Sequence, residues 1–281
     1  MRRGAGLKTW PLFLANSQEN KGRKEHRMHM RKHLSKVMFL LAIIAIWWAG
    51  SVIVNKSLFL PSPAETFAMI AELFKTGAFF KHLGSSFIRV TGGVVIAAAI
   101  SIPLGMLIAW YKPVNRLLKP IVDSLRYIPV TCFSPMLVLL LGIDEKMKVT
   151  FLVIAALFSF LPTVIQTCSE PIDKLKETAY TMGFSYSRML WNCFIPYVTP
   201  SLLQSLITLY GVGWTYVIIA EVNNTQYGLG HLMYIGSARG KTAMVFAAIV
   251  IIIVVSFLFD KLANMIVRKT FKWRFRDEVK S

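Results

Sequence analysis

Apolar residues in this chain come in blocks. Six charge-free apolar runs stand out: 37–55, 90–111, 127–143, 149–169, 189–220 and 242–259. A crossing of the bilayer core takes about 20 such residues, and a helix is the segment that can satisfy its own backbone there. The pattern predicts helices over about 37–54, 87–109, 125–142, 149–167, 198–220 and 243–266. A seventh charge-free run, 222–238, holds Asn223, Asn224, Gln226 and His231 and reads as a polar loop. A large soluble helical protein does not account for six runs of this length.

Small and polar residues recur within the runs. Gly93, Ala97, Ser101 and Gly105 return every fourth residue, a stripe that lets two helices approach closely in lipid. Pro103 predicts a bend. Ser159, Thr163 and Gln166 share one helical face, as do Gln204, Thr208, Gly211 and Thr215. Two readings stay open for these stripes, interhelical hydrogen bonding or a polar wall along a solute path. Either places them inside the bundle, away from lipid. Glu221 is the acid at the outer end of the fifth run, hydrated or salt-bridged in one reading and part of the solute path in the other. Arg89 and Arg126 read as charged anchors at opposite edges of the membrane. Between the first two runs, Ser62 and Glu65 have capping-box spacing with Pro63 at the first helical position. Phe67, Ile70, Ala71 and Phe74 follow on one face, which predicts an amphipathic helix on the outer surface.

Composition agrees: 55% of the 281 residues are hydrophobic and 16% are charged, against roughly 25% charged in soluble domains. The net charge of +18 is sorted by topology rather than gathered for nucleic acid, which is excluded as a partner. With the N-terminus inside, the inner segments hold ten Lys and Arg in 1–36, four in 112–126, three in 174–188 and seven in 261–280; the outer ones hold eight. This bias places both termini in the cytoplasm, the basic tails lying against anionic membrane lipid. The resulting plan is a basic segment 1–36, a first span 37–54, an external segment 55–86 with the amphipathic helix, a five-helix core 87–266 containing a cytoplasmic loop 170–196, and a basic tail 267–281. The first run is too long for a signal peptide and is read as retained. Met28 and Met30 offer alternative starts.

The chemistry expected is transport. Cys132, Cys168 and Cys193 form no C-x-x-C pair and predict no disulfide framework or metal site. Catalytic groups do not cluster, and His82 and His231 lie far apart in sequence. No G-x-x-x-x-G-K-[ST] loop is present, so no cofactor is expected on this chain.

The longest inner loop carries the sharpest pattern. Residues 174–182 suit a short helix, Gly183 can end it in the left-handed conformation, and Ser185 can cap a second helix leading to Pro196. Leu175, Tyr180, Met182 and Phe184 add an apolar surface. Glu177, Ala179, Gly183, Ile195 and Pro196 match the E-A-A, G, I-x-L-P signature of ABC importer permeases. Thr178 replaces a small residue of that signature, Cys193 stands at its isoleucine, and Ile195 falls where leucine is usual. Over about 57–272 the chain resembles the nitrate, sulfonate and taurine branch of that family. Leu60-Pro61-Ser62-Pro63, Leu125 to Pro129, Pro135 with Gly142-Ile143, Ala220-Glu221 and Gly228-Leu229-Gly230 carry the likeness.

The resemblance implies an all-α membrane protein of six transmembrane helices with the type I, MetI-like permease fold. It implies a permease subunit in a bacterial cytoplasmic (inner) membrane that is not itself an enzyme. Its implied partners are a second permease copy, two cytoplasmic ABC ATPases carrying ATP and Mg, and an external solute-binding protein. It implies that Glu177, Thr178, Ala179, Gly183, Ile195 and Pro196 dock the ATPase. The candidate path residues are Ser159, Thr163, Gln166, Gln204, Thr208, Thr215 and Glu221. The implied solute is small and anionic or polar, of the nitrate, sulfonate, taurine or bicarbonate type. The alternative is a stand-alone secondary transporter, which more often carries mid-membrane ionisable groups or inverted repeats.

Overall fold

The computed structural model describes residues 34–35, 38–54, 59–222 and 225–275, with only the backbone of Lys174. The expected basic segment 1–36 (save 34–35), Asn223, Asn224 and the end of the tail lie outside the described residues. The described residues are helical with no strand among them. They fall into two units, 1–65 and 66–281.

In the first unit, α1 (Met38–Val54) is a shorter apolar helix. The indole N–H of Trp47 donates to the Pro61 carbonyl at 3.0 Å. The start of α2 (Pro63–Lys75) is a reciprocal capping box: Ser62 N–H donates to Glu65 Oε2 at 2.8 Å, and Glu65 N–H donates to Ser62 Oγ at 3.2 Å.

The second unit is built on α3 (Ala78–Trp110), α6 (Glu145–Thr181), α8 (Ile195–Val222) and α10 (Thr242–Thr270). Four helices are long and apolar enough to cross a membrane: α3, α6, α10, and α8 extended backwards to Tyr186. A fifth crossing is available from the pair Lys112–Tyr127 and Val130–Leu141, bent by 75°. That pair contains α4 (Lys112–Ser124) and α5 (Phe133–Leu141), and the break falls at Pro129. Each of the six apolar runs therefore lies on a helix or on this bent pair. The run 222–238, expected as a loop, instead contains α9 (Leu229–Ala238), with Leu229, Gly230, Leu232 and Gly236 buried.

The small-residue stripe explains the central contact. Gly93, Ala97, Ser101 and Gly105 are buried on α3. A Cβ on Gly93 would stand 2.7 Å from Leu152 Cβ, and one on Gly105 2.6 Å from Val164 Cγ1. Any larger residue at either place must push α3 off α6. Of the four long helices α10 is the least buried, exposing Ile253, Phe257 and Ile266. Such an apolar outer face is what a lipid environment permits.

Candidate functional site

Two regions at opposite ends of α6 concentrate the functional chemistry. The first is the elbow at its C-terminus. Instead of a separate short helix over 174–182, α6 runs unbroken through Pro162 and Pro171 to Thr181. Gly183 then takes φ 73°. Gly183 N–H donates to Tyr180 O and Phe184 N–H to Ala179 O, both at 3.0 Å, the two bonds of a Schellman stop. Nothing lies within 4 Å of a Cβ placed on Gly183, so its need for glycine is conformational and not spatial. The chain turns into α7 (Tyr186–Met189), winds one π turn over Leu190–Phe194, and continues into α8. Ser185 starts α7 through its carbonyl, which accepts Met189 N–H at 2.9 Å, with no side-chain cap bond.

The elbow has an anchored side and an open side. On the anchored side Ile172, Ala179, Met189 and Phe194 join the main core. Trp110, the last residue of α3, is 4% exposed and sits 5.1 Å from the Tyr186 ring and 4.9 Å from the Phe194 ring. Lys176 Nζ lies over the Trp110 ring at 4.7 Å and donates to the Trp110 carbonyl at 3.3 Å. Lys112 pairs with Asp173 at 2.9 Å, and Asn115 donates to Ser169 Oγ at 3.0 Å. On the open side stand Glu177, Thr178, Pro196 and the large apolar groups Tyr180, Met182, Tyr186 and Trp191. Leu175 and Phe184, expected on that surface, pack partly against the core instead, as does Ile195.

The second region is a buried ion cluster at the other end of α6. His82, Ser86 and Arg89 lie on one face of α3. Arg89 Nε and Nη2 donate to the two oxygens of Glu145 at 2.6 and 2.8 Å. Its Nη1 donates to Glu221 Oε1 at 2.7 Å and to the Tyr227 carbonyl at 2.8 Å. Glu221 is fully buried and also accepts from Ser86 Oγ at 2.8 Å and from Gly230 N–H at 2.9 Å. Leu229 N–H donates to Ser86 Oγ at 2.8 Å, and His82 Nδ1 meets the Gly228 backbone. Lys148 pairs with Glu145 at 3.0 Å, one turn along α6. A Cβ on Gly228 would fall within the Glu221 carboxylate, and one on Gly230 would stand 2.7 Å from the Ile218 carbonyl. The Gly-Leu-Gly sequence is thus the wall that lets backbone close over a buried carboxylate. His82 and His231, distant in sequence, stack at 6.1 Å. Burial holds the His231 imidazole below its ordinary value, with the Lys148 charge adding to it.

The expected path residues differ in exposure and in hydrogen bonding. Thr163 and Thr208 donate to carbonyls of their own helices, at Ser159 (3.0 Å) and Gln204 (3.2 Å). Gln166, Thr208 and Thr215 are exposed on the single chain, and Ser159, Thr163 and Gln204 are half-buried. Glu221 stands apart from them, enclosed in the ion cluster. A groove of about 690 Å³ lies along α5 and α8, lined by Thr131, Ser134, Val138, Ile218 and Val222 among others. Sequence reasoning missed Trp110 and the pairing of Arg89. A signal was there: Arg89, Glu145 and Glu221 all border apolar runs on the same assigned side, and an ionisable group there calls for a named partner.

Residues 101–272 match the family described as binding-protein-dependent transport system inner membrane component. The chain is 30% identical over 236 residues to a putative aliphatic sulfonates transport permease of Bacillus subtilis, covering 83% of this chain and 84% of that one. It is 24% identical over 270 residues to the taurine transport system permease of Escherichia coli K12, covering 92% and 97%. It is 26% identical over 205 residues to a formylaminopyrimidine transport permease of Halalkalibacterium halodurans, covering 70% and 79%. In fold it is similar to a chain of the MetNI methionine ABC transporter in an inward-facing conformation. There the TM-score is 0.60 at 18% identity, covering 68% of this chain and 95% of that one.

Proposed function

We infer the working role of this chain from its family: it belongs to the binding-protein-dependent transport system inner membrane components, and is a permease subunit of an ABC importer. Its elbow is the seat for a cytoplasmic ATPase. The observation that carries this reading is the open side of the elbow. Tyr180, Met182, Tyr186 and Trp191 are exposed apolar groups on a turn closed by Gly183 and tied to α3 through Trp110. A connection between two spans has no need of such a surface, whereas a docking face does. Glu177, Thr178, Ala179, Gly183, Ile195 and Pro196 form the seat. Ala179 is buried beneath it and Glu177 stands on its rim.

In the assembly we propose, two copies of this chain meet along α5 and α8. The groove there and the exposed hydroxyls of Thr208 and Thr215 then face the solute path. Glu221 belongs to the ion cluster and not to that path. Both termini and the elbow lie on the cytoplasmic side of a bacterial inner membrane, the ion cluster near the external side, where a solute-binding protein delivers the cargo. ATP and Mg sit on the paired ATPases. The relatives described above carry the names of permeases for aliphatic sulfonates, taurine and formylaminopyrimidine, so the cargo proposed here is a small polar or anionic organic solute.

The test is reconstitution of the chain with the ATPase and binding protein encoded beside it. Uptake of labelled taurine or an alkanesulfonate into proteoliposomes is expected only with internal ATP and the binding protein. Uptake by the permease alone, driven by an ion gradient, would identify a secondary transporter and overturn the reading.

A further inference from the structure

We propose that Arg89 is the positioning residue of the elbow-distal mouth of the bundle, holding α3 permanently to α8 through Glu221 and releasably to α6 through Glu145. The proposal rests on the coupling role given above to the elbow. Its ground is the unequal treatment of two carboxylates that share one guanidinium. The Glu221 side chain is 0% exposed, while that of Glu145 is 60% exposed. Glu221 is fixed by Ser86, Arg89 and the Gly230 N–H, with two glycines closing over it. Withdrawing it from Arg89 would strand a charge in a dry site, which is strongly unfavourable. Glu145 sits in the first turn of α6 and already faces solvent, so its own carboxylate loses little on release, and the two Arg89 donors it leaves are wetted as α6 moves off them.

The charges divide in a way that suits separation. Arg89 with Glu221 is a neutral pair joining α3 to α8. Glu145 with Lys148 is a neutral pair within α6. When α6 swings away, each side keeps its own counter-charge and no unpaired ion is left behind. A brace serving stability alone has no need of that division.

The helix that would swing is also the one that ends in the elbow. α6 extends from Glu145 to Thr181, about 55 Å at 1.5 Å per residue. It bears on α3 at Leu152, seven residues from Glu145, where Gly93 leaves no spare room, and at Val164, near its middle, where Gly105 leaves none, so a tilt of α6 over these contacts moves its two ends in opposite directions. A displacement of the elbow by the ATPase therefore arrives at the other end as a displacement of Glu145 from Arg89.

Lys148 reports the state of this clasp. It is buried, whereas Lys146 on the same turn is exposed. The experiment labels the permease–ATPase assembly in nanodiscs with a hydrophilic amine reagent and reads Lys148 against Lys146 by mass spectrometry, at rest and trapped with ATP and vanadate. The Lys148:Lys146 ratio is expected to rise at least threefold on trapping. Glu145→Gln is expected to show that higher ratio at rest and a several-fold rise in ATP hydrolysis without binding protein, its melting temperature falling less than that of Glu221→Gln. Glu221→Gln is expected to lower the melting temperature instead. An equal ratio in both states, or a Glu145→Gln variant as destabilised as Glu221→Gln, would make the cluster a fixed brace and overturn the proposal. The labelling and melting of Glu145→Gln are also read on the permease alone, so a failure of ATPase binding would count against the coupling role without obscuring the clasp.

Discussion

The two ends of α6 resolve opposite problems. At the Glu145 end charged groups are taken out of water, and every one is matched within the chain: Arg89 by two carboxylates, Glu221 by Arg89, Ser86 and a backbone N–H, Lys148 by Glu145. At the Thr181 end apolar groups are left in water, and Tyr180, Met182 and Trp191 stay exposed among the described residues. A buried charge must find its partner before the protein is stable, so the first region is a folding element. An exposed apolar turn costs the isolated chain little and gains by association, so the second suits a meeting place. Substitutions at the cluster should therefore remove protein, and substitutions at the elbow should remove function from protein that is still there.

The largest effect is expected at Glu221. Glu221→Ala leaves the Gly230 N–H and the Ser86 hydroxyl without their carboxylate and deprives Arg89 of its buried counter-charge. Breaking a buried pair in this way costs about 3–5 kcal/mol. Yield in the membrane fraction and melting temperature in detergent should both fall sharply. A variant that melts like wild type would show that the cluster is not a folding element.

Gly228→Ala comes next. Gly228 has φ 154°, and a Cβ there intrudes on the Glu221 carboxylate. The backbone strain alone is about 1–3 kcal/mol. The same measurements should show a smaller loss, and Gly228→Ala combined with Glu221→Ala should lose less than the sum, because the colliding carboxylate is gone. Simple addition would separate the glycine from the carboxylate it is argued to enclose.

Gly183→Val moves the comparison to the elbow. A β-branched residue at φ 73° costs about 1–2 kcal/mol, with open space around the new side chain. The permease should insert at near-normal level, with a melting temperature lowered by only a few degrees. Uptake, and the response of ATP hydrolysis to the binding protein, should be lost. Normal uptake at normal level would remove the turn from the coupling seat.

What the sequence made legible follows the same division. The apolar runs could be read because hydrocarbon enforces them residue by residue. The stripe from Gly93 to Gly105 and the Ser62–Glu65 capping box could be read because helical spacing is local. The left-handed turn at Gly183 is likewise a property of one residue and its neighbours. The ion cluster could not be read that way. Arg89 meets partners 56 and 132 residues away, and by itself it reads as an anchor at a membrane edge. The start of α3 was hidden for the same reason. Lys81, His82 and Ser86 make residues 78–86 look like an external connection, yet His82 and Ser86 meet backbone more than 140 residues later. The extension of α6 through 170–181 was obscured by Pro171, which the helix carries in its interior.

The smallest effect on stability and a complete effect on function are expected together at Glu177. This residue is exposed on α6, two turns after Pro171, and its neighbour Lys176 is occupied with Trp110 rather than with it. Exposed charge changes of this kind usually alter stability by no more than about 0.5 kcal/mol. Glu177→Lys should therefore insert, dimerise and melt like wild type. It reverses the sign of the seat's rim, so co-purification of the ATPase should drop and uptake should cease. Glu177→Gln keeps the shape and the helix while removing only the charge, and should fall between the two. Compensating acidic substitutions in the ATPase should restore binding to Glu177→Lys and not to Gly183→Val, whose fault is in the backbone. If Glu177→Lys transports normally, the rim is not electrostatic, and the apolar groups Tyr180, Met182 and Trp191 hold the ATPase without it.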